Sequence, residues 1–225
     1  MGEWRQQFLY TKKSIRTTWR LRVGVLVIVI FIVILTRESW TARIAGSLVC
    51  AGAPQPSDII LLENFDPNYL VFERAAELEK AGFAPRALVP VEASHDPAIA
   101  NPISNGIAEL MARQARMGTW EMIPIRITEP ISLNAAYQIR DQLARQRVRS
   151  VIVVTPAFRS RRTSLVYQTV LPELGTQVSC VPVFGRTTPE GWTNTWHGMQ
   201  EVTEEFFKLQ YYRFYVIPFL SRRVR

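Results

Sequence analysis

The chain has 225 residues, 48% hydrophobic and 20% charged, which excludes wholesale disorder and leaves room for one domain with a real core. A formal charge of +8 and a pI near 9.9 raise nucleic acid or an anionic membrane as partners. The charge is unevenly placed, however. Residues 1–22 carry six basic residues against one acid, Arg222, Arg223 and Arg225 crowd the far end, and the 18 basic and 18 acidic residues of 37–221 cancel. No nucleic-acid partner is therefore expected for the folded part.

Between Arg22 and Arg37 the run Val23 to Thr36 holds fourteen uncharged residues, most of them Val, Ile or Leu. As a helix it reaches roughly 21 Å, short of a ~30 Å hydrocarbon core, so its length also fits a buried helix or a signal-peptide apolar region. Its flanks favour a transmembrane anchor: Arg22 and Arg37 can snorkel, and Trp19 and Trp40 stand where interfacial aromatics belong. The small-residue run Ala51-Gly52-Ala53 lies too far beyond Leu35 for a cleavage site. The basic excess before the span predicts a cytoplasmic amino terminus, an inner-membrane location and a domain on the periplasmic or outer side. An oxidising compartment permits Cys50 and Cys180 to pair, but two isolated buried thiols are the favoured expectation.

After the Pro-rich joint Ala53-Pro54-Gln55-Pro56, the apolar run Asp58 to Leu62 predicts a buried parallel strand. Helical spacing over Tyr69 to Ala81 follows, with Gly82 as its stop. A weaker strand is expected at Ala87 to Val91, a helix from Ile103 to Met117 closed by Gly118, and a third strand at Met122 to Ile127. Pro124 inside that strand argues for an edge or an irregular start. Ser132 to Gln146 predicts a helix, and Ser150 to Thr155 is β-branched enough for a strand buried on both faces. A helix over Arg161 to Leu174, a strand over Val178 to Val183 and a long amphipathic helix from Trp192 to about Tyr215 complete the series. In that last helix Trp192, Trp196, Phe206, Phe207, Tyr211, Tyr212 and Phe214 are expected to form the buried stripe. Five strands alternating with helices predict a doubly wound α/β fold with a mainly parallel sheet in a three-layer sandwich. The organisation is then a basic tail over 1–22, an anchor over 23–36, a linker over 37–57, the α/β domain over 58–217 and a second basic tail over 218–225.

In such a fold ligands bind beyond the carboxyl ends of the strands. That rule selects Asn64 after the first strand, Glu129, Ser132 and Asn134 after the third, and Thr155, Arg159 and Arg162 after the fourth. Thr155 with arginines at a helix start suits a phosphate or carboxylate, although a chain with 23 arginines also produces such clusters by chance. Ser132 fits a capping residue better than a nucleophile, and there is no Gly-x-Ser-x-Gly elbow. His95 and His197 lack companions at ligand spacing, so no metal is expected, and the glycines of a nucleotide loop are missing after Leu62. No cofactor is assigned.

The segments Glu129-Pro130-Ile131-Ser132-Leu133-Asn134 and Val154-Thr155-Pro156-Ala157-Phe158-Arg159-Ser160-Arg161-Arg162, in that order, together with Asp58 to Leu62, Arg74, Leu78 and Gly82-Phe83-Ala84, resemble the YdcF/SanA/ElyC family of bacterial envelope proteins. The resemblance covers about residues 47–215. It implies a Rossmann-like domain behind an amino-terminal anchor, with a role in cell-wall, lipid-carrier or exopolysaccharide assembly alongside other envelope proteins. Three departures stand out. Glu63 and Asn64 replace the family's glycines after the first strand, Arg159 stands where the family has a histidine, and Ala135 replaces a threonine. A guanidinium cannot serve as a general base near neutral pH. Two functions remain open: a membrane-anchored domain binding a small polar or anionic ligand, and a catalytically silent scaffold on the same fold. A transferase or hydrolase using Glu129 as base ranks behind both.

Overall fold

A computed structural model describes residues 19–66 and 68–221. The basic residues before Trp19 and the terminal Arg222, Arg223 and Arg225 lie outside the described residues. The chain divides between Trp40 and Thr41 into two units.

In the first unit, α1 (Trp19–Leu35) is apolar along nearly its whole length and buries none of its side chains. It begins four residues before the expected span and ends at Leu35. After Thr36 comes α2 (Arg37–Gly46), which continues into the second unit. Among the described residues no single helix is long and apolar enough to cross a membrane; α1 and α2, taken together with the bend between them, reach the length and composition of a broken span.

The second unit is built on five strands: β1 (Ile59–Leu62), β2 (Ala87–Glu92), β3 (Trp120–Ile125), β4 (Ser150–Pro156) and β5 (Gln177–Val183). All pair in parallel in the order β3-β2-β1-β4-β5. The expected α/β fold is present. The central strand β1 is buried at all four positions and pairs through Ile60 with Ala87 on one side and Ile152 on the other. Strands covered on both faces have no reason to alternate, which is why β1 and β4 read as unbroken apolar runs. Edge strand β3 starts two residues earlier than its hydropathy implies. It pairs with β2 alone, an edge position in which a proline such as Pro124 is tolerated.

Between the strands run α3 (Tyr69–Lys80), α4 (Pro102–Gln114), α5 (Ile131–Arg145) and α6 (Ser160–Val170). Alternate β1 residues divide between two cores. Ile60 and Leu62 pack with Val71, Phe72 and Ala75 of α3 and Ala108 and Ala112 of α4, while Ile59 and Leu61 pack with Leu133 and Ile139 of α5 and Val166 and Val170 of α6. Helix α3 is capped by the Asn68 side chain and stopped at Gly82, whose φ of +80° suits glycine. Helices α4 and α5 instead end on arginines with left-handed backbone, Arg116 at φ 56° and Arg147 at φ 55°. Helix α4 therefore stops short of the expected Met117.

Part of the stretch expected as a linker is structured. Ala45 and Leu48 are buried against Phe158, Val202 and Leu209, and the Thr41 carbonyl accepts a hydrogen bond from Trp192 Nε1 at 3.0 Å. Cys50 donates its backbone N–H to Ser160 Oγ at 2.8 Å and forms a disulfide with Cys180 of β5. The expectation of two isolated thiols is thus corrected. Packing of 41–50 against the start of α6 brings together residues separated by 130 positions, a proximity that no local pattern encodes.

The final helix also departs from expectation. Helix α7 (Trp196–Tyr211) passes into a π-helical stretch, Tyr212–Leu220. Its inward positions are Val202, Glu205, Leu209, Tyr212 and Val216. Of the aromatics expected to be buried, only Tyr212 is; Trp192 and Phe206 are half-buried, and Trp196, Phe207, Tyr211 and Phe214 are exposed. Ring size does not dictate direction here, because small apolar residues and one carboxylate already occupy the inner face.

Asp58 ties the start of β1 to β4 by accepting the N–H groups of Arg149 at 2.7 Å and Ser150 at 3.0 Å. These bonds, the Arg149 one foremost, hold its pKa below the ordinary 3.8. A carboxylate with a lowered folded pKa stabilises above its unfolded pKa and loses that contribution as pH falls through the folded value. Asp58→Asn should therefore unfold at a lower temperature than the parent at pH 7, and the gap should close as pH drops below 3.8 in thermal scans across pH. Because the disulfide closes so long a loop, Cys50→Ser with Cys180→Ser should cost about 3–5 kcal/mol, measurable by denaturant unfolding with and without reductant.

Candidate functional site

The chain winds β1, β2 and β3 to one side and then returns past β1 to begin β4, so the sheet reverses its winding between β1 and β4. Loops leaving these two strands must part there, and the gap is the ordinary ligand site of open α/β sheets. In this chain it is a cavity of about 620 Å³. Glu63, Phe65 and Asp66 after β1, Glu129, Ile131 and Ser132 around the start of α5, Pro156 at the end of β4 with Arg159 and Arg162 beyond it, and one face of α7 line it.

At the floor lies Glu63, 3% exposed, with its backbone N–H bonded to Val154 O. Its Oε2 accepts hydrogen bonds from the hydroxyls of Thr155 and, at 2.6 Å, Thr163. Two hydroxyl donors compensate a carboxylate whose burial alone would be costly. Burial pushes the nearby Tyr167 hydroxyl pKa well above its ordinary value, and the Glu63 charge adds to this, so the phenol stays protonated.

Behind the floor, two arginines share one carboxylate. Arg162 Nε donates to Glu205 Oε2 at 3.1 Å, its second terminal nitrogen lies 3.0 Å from the same oxygen, and its first donates to Ser132 Oγ at 2.6 Å. Its guanidinium also lies over the Tyr212 ring, 5.3 Å from the centroid, and the Tyr212 hydroxyl accepts the N–H of Ser132. Arg159 reaches Glu205 Oε1 at 3.3 Å and Asp66 Oδ2 at 3.2 Å. Burial alone would lower the Arg159 pKa, but Glu63, Glu205 and Asp66 outweigh it and hold the guanidinium charge more firmly than usual. Toward the mouth stand Glu129, His197, Glu201 and the ion pair of Lys208 with Glu204. Burial raises the Glu201 pKa, against the opposing pull of the Thr187 hydroxyl and Arg159.

Four of the seven residues selected from sequence meet at this cavity: Glu129, Ser132, Arg159 and Arg162. The other three have different surroundings. Thr155 is fully buried and bonds Glu63. Asn134 turns back to the carbonyls of Thr128 and Pro130, bracing the loop before α5. Asn64 donates to the carbonyl of Pro90, continuing the β1–β2 pairing past the end of β1, while its buried Oδ1 has no partner among the described residues. The residues that sequence reasoning missed are Glu205, Glu201, His197, Lys208 and Tyr212, all from the final helical segment. A signal for Glu205 does exist: it is the one acid in the inward series Val202, Glu205, Leu209, Tyr212, Val216.

Fold and cleft together define the class: a Rossmann-like α/β protein with a charged cavity at the switch point of a five-stranded parallel sheet. No protein-family model and no curated protein matches the chain.

Removing Glu205 leaves the buried Arg162 guanidinium without its counter-charge and takes one of two partners from the partly buried Arg159, whereas Asp66 is 76% exposed and screened by water. Glu205→Gln should therefore destabilise by about 3–5 kcal/mol and Asp66→Asn by no more than about 1 kcal/mol, a contrast that urea titrations of the two variants will show.

Proposed function

We propose that the chain is a membrane-anchored protein of the bacterial envelope whose α/β domain binds a small polar ligand in the switch-point cleft. The observation that carries this reading is the charge arrangement of the cavity. Six carboxylates (Glu63, Asp66, Glu129, Glu201, Glu204, Glu205) line it against three cations, Arg159, Arg162 and Lys208, and each cation is paired with one or more of the acids. A phosphate or free carboxylate would have to displace those acids before reaching a guanidinium. A neutral molecule bearing hydroxyl and amide groups meets donors and acceptors without that cost. The ligand reading thus narrows from polar or anionic to polar and uncharged.

The envelope setting draws on the apolar amino-terminal segment, its basic flank and the disulfide, a bond typical of oxidising compartments. The resemblance to YdcF/SanA/ElyC proteins supplies the biological context of cell-wall, lipid-carrier or exopolysaccharide assembly. It supports the same fold with altered chemistry, since Glu63 and Arg159 replace residues that define the family's site.

A second reading, a catalytically silent scaffold, is favoured by one observation. The Ser132 hydroxyl oxygen accepts a hydrogen bond from Arg162, a cation that cannot take a proton from it. Calorimetric titration of the full chain with N-acetylglucosamine and with inorganic phosphate separates the alternatives. Sugar binding that weakens roughly tenfold in Glu129→Gln supports the polar-ligand reading. Phosphate binding in preference to sugar overturns it. Silence toward both, with a normal cellular phenotype in Arg159→Ala, favours the scaffold.

A further inference from the structure

We propose that the exposed aromatic ladder at the end of the chain is a contact surface for the head-group region of an anionic lipid bilayer. This inference rests on the anchor reading above and concerns the exposed face of the last helical segment, which adjoins the cleft at Tyr211.

Phe207, Tyr211, Phe214, Tyr215 and Phe219 are 49–67% exposed. Tyr211, Tyr215 and Phe219 form a continuous strip: Tyr211 stacks on Tyr215 with centroids 5.5 Å apart, and Tyr215 leans on Phe219 at 5.9 Å. With Phe207 and Phe214 exposed on the same helical segment, the rings exceed the scattered apolar residues of an ordinary surface.

Three observations identify the occupant as lipid. The first is tether length. Five residues separate Leu35, the end of the apolar helix, from Thr41, where the second unit begins, so the domain's first residue stays within roughly 22 Å of the end of the anchor. The second is ring chemistry. Tyrosines combine an apolar body with a polar tip, the balance that places aromatics at the membrane interface. The third is charge. The Arg213 guanidinium lies 5.8 Å from the Phe214 ring centre, and Arg222, Arg223 and Arg225 follow within six residues of Phe219. Each basic residue held near an anionic surface strengthens binding roughly fivefold. The other exposed apolar strip, Ile103, Ile107 and Leu110 on α4, is aliphatic and contains the paired charges Glu109 and Arg113; it serves as an internal reference.

The test uses the full chain in vesicles of phosphatidylethanolamine and phosphatidylglycerol containing a lipid with a photoactivatable group near its head, followed by peptide mapping of the adducts. Adducts are expected on 19–35 and on 207–219, the latter several-fold above those on 99–110. They should fall several-fold on 207–219 when phosphatidylcholine replaces phosphatidylglycerol. Phe214→Ser with Phe219→Ser should remove the 207–219 adducts and keep those on 19–35. Labelling of 19–35 with no excess on 207–219 overturns the ladder as a lipid contact and leaves the anchor standing. So do cross-links joining the ladders of two chains. Absence of adducts on 19–35 overturns the anchor, and the inference with it.

Discussion

A guanidinium buried where four helical segments meet is the constraint around which the cleft is organised. Arg162 is anchored on α6, Glu205 on α7 and Ser132 at the start of α5, and Tyr212 covers the charge from the last helical stretch. Burying such a group is tolerable only when its donors find partners. The final helix is therefore bound to the sheet by a requirement for charge compensation as well as by apolar burial. The same requirement places Arg159 between Glu205 and Asp66, and the cleft acquires a wall of paired charges. Its chemical character follows: groups able to recognise an anion are present, and they are occupied.

The sheet was legible because its physics is local. A strand covered on both faces must be apolar at every position, and β1 and β4 show that in a handful of consecutive residues. Boundaries were less legible wherever tertiary packing chose them. Helices α4 and α5 turn out of the helix at Arg116 and Arg147, residues that carry no such signal, because Met117 and Val148 immediately beyond them must return to the core. The disulfide had no local signature, and its pairing depends on Leu48 docking beside Phe158. The aromatic positions of the last helix misled for another reason: hydrophobicity identifies residues able to be buried, and the inner face had already been filled by smaller ones.

The site divides along similar lines. Glu129, Ser132, Arg159 and Arg162 follow from the fold, since the loops after parallel strands converge at one edge of the sheet. Glu201, Glu205 and His197 arrive from a helix beyond the last strand, which no rule about strand ends selects. Thr155 lies at the end of β4 and Asn134 in the first turn of α5, and each serves the architecture: one hydroxyl steadies Glu63 and one amide braces the turn into α5. Proximity to a cleft in sequence thus identifies the neighbourhood, and hydrogen-bond satisfaction decides which residues remain available.

The bond between Cys50 and Cys180 also has a mechanical meaning. It fastens the chain, nine residues after Thr41, to the edge strand β5, with Cys50 further secured to Ser160. Tension applied along the chain from its amino-terminal side passes through a covalent link into the sheet before it can reach β1. The segment 41–49 can then peel away under load while the parallel ladder stays intact. In the reduced state the same tension would pass on to the start of β1, where Asp58 and the Ser150 hydroxyl clasp the two strands.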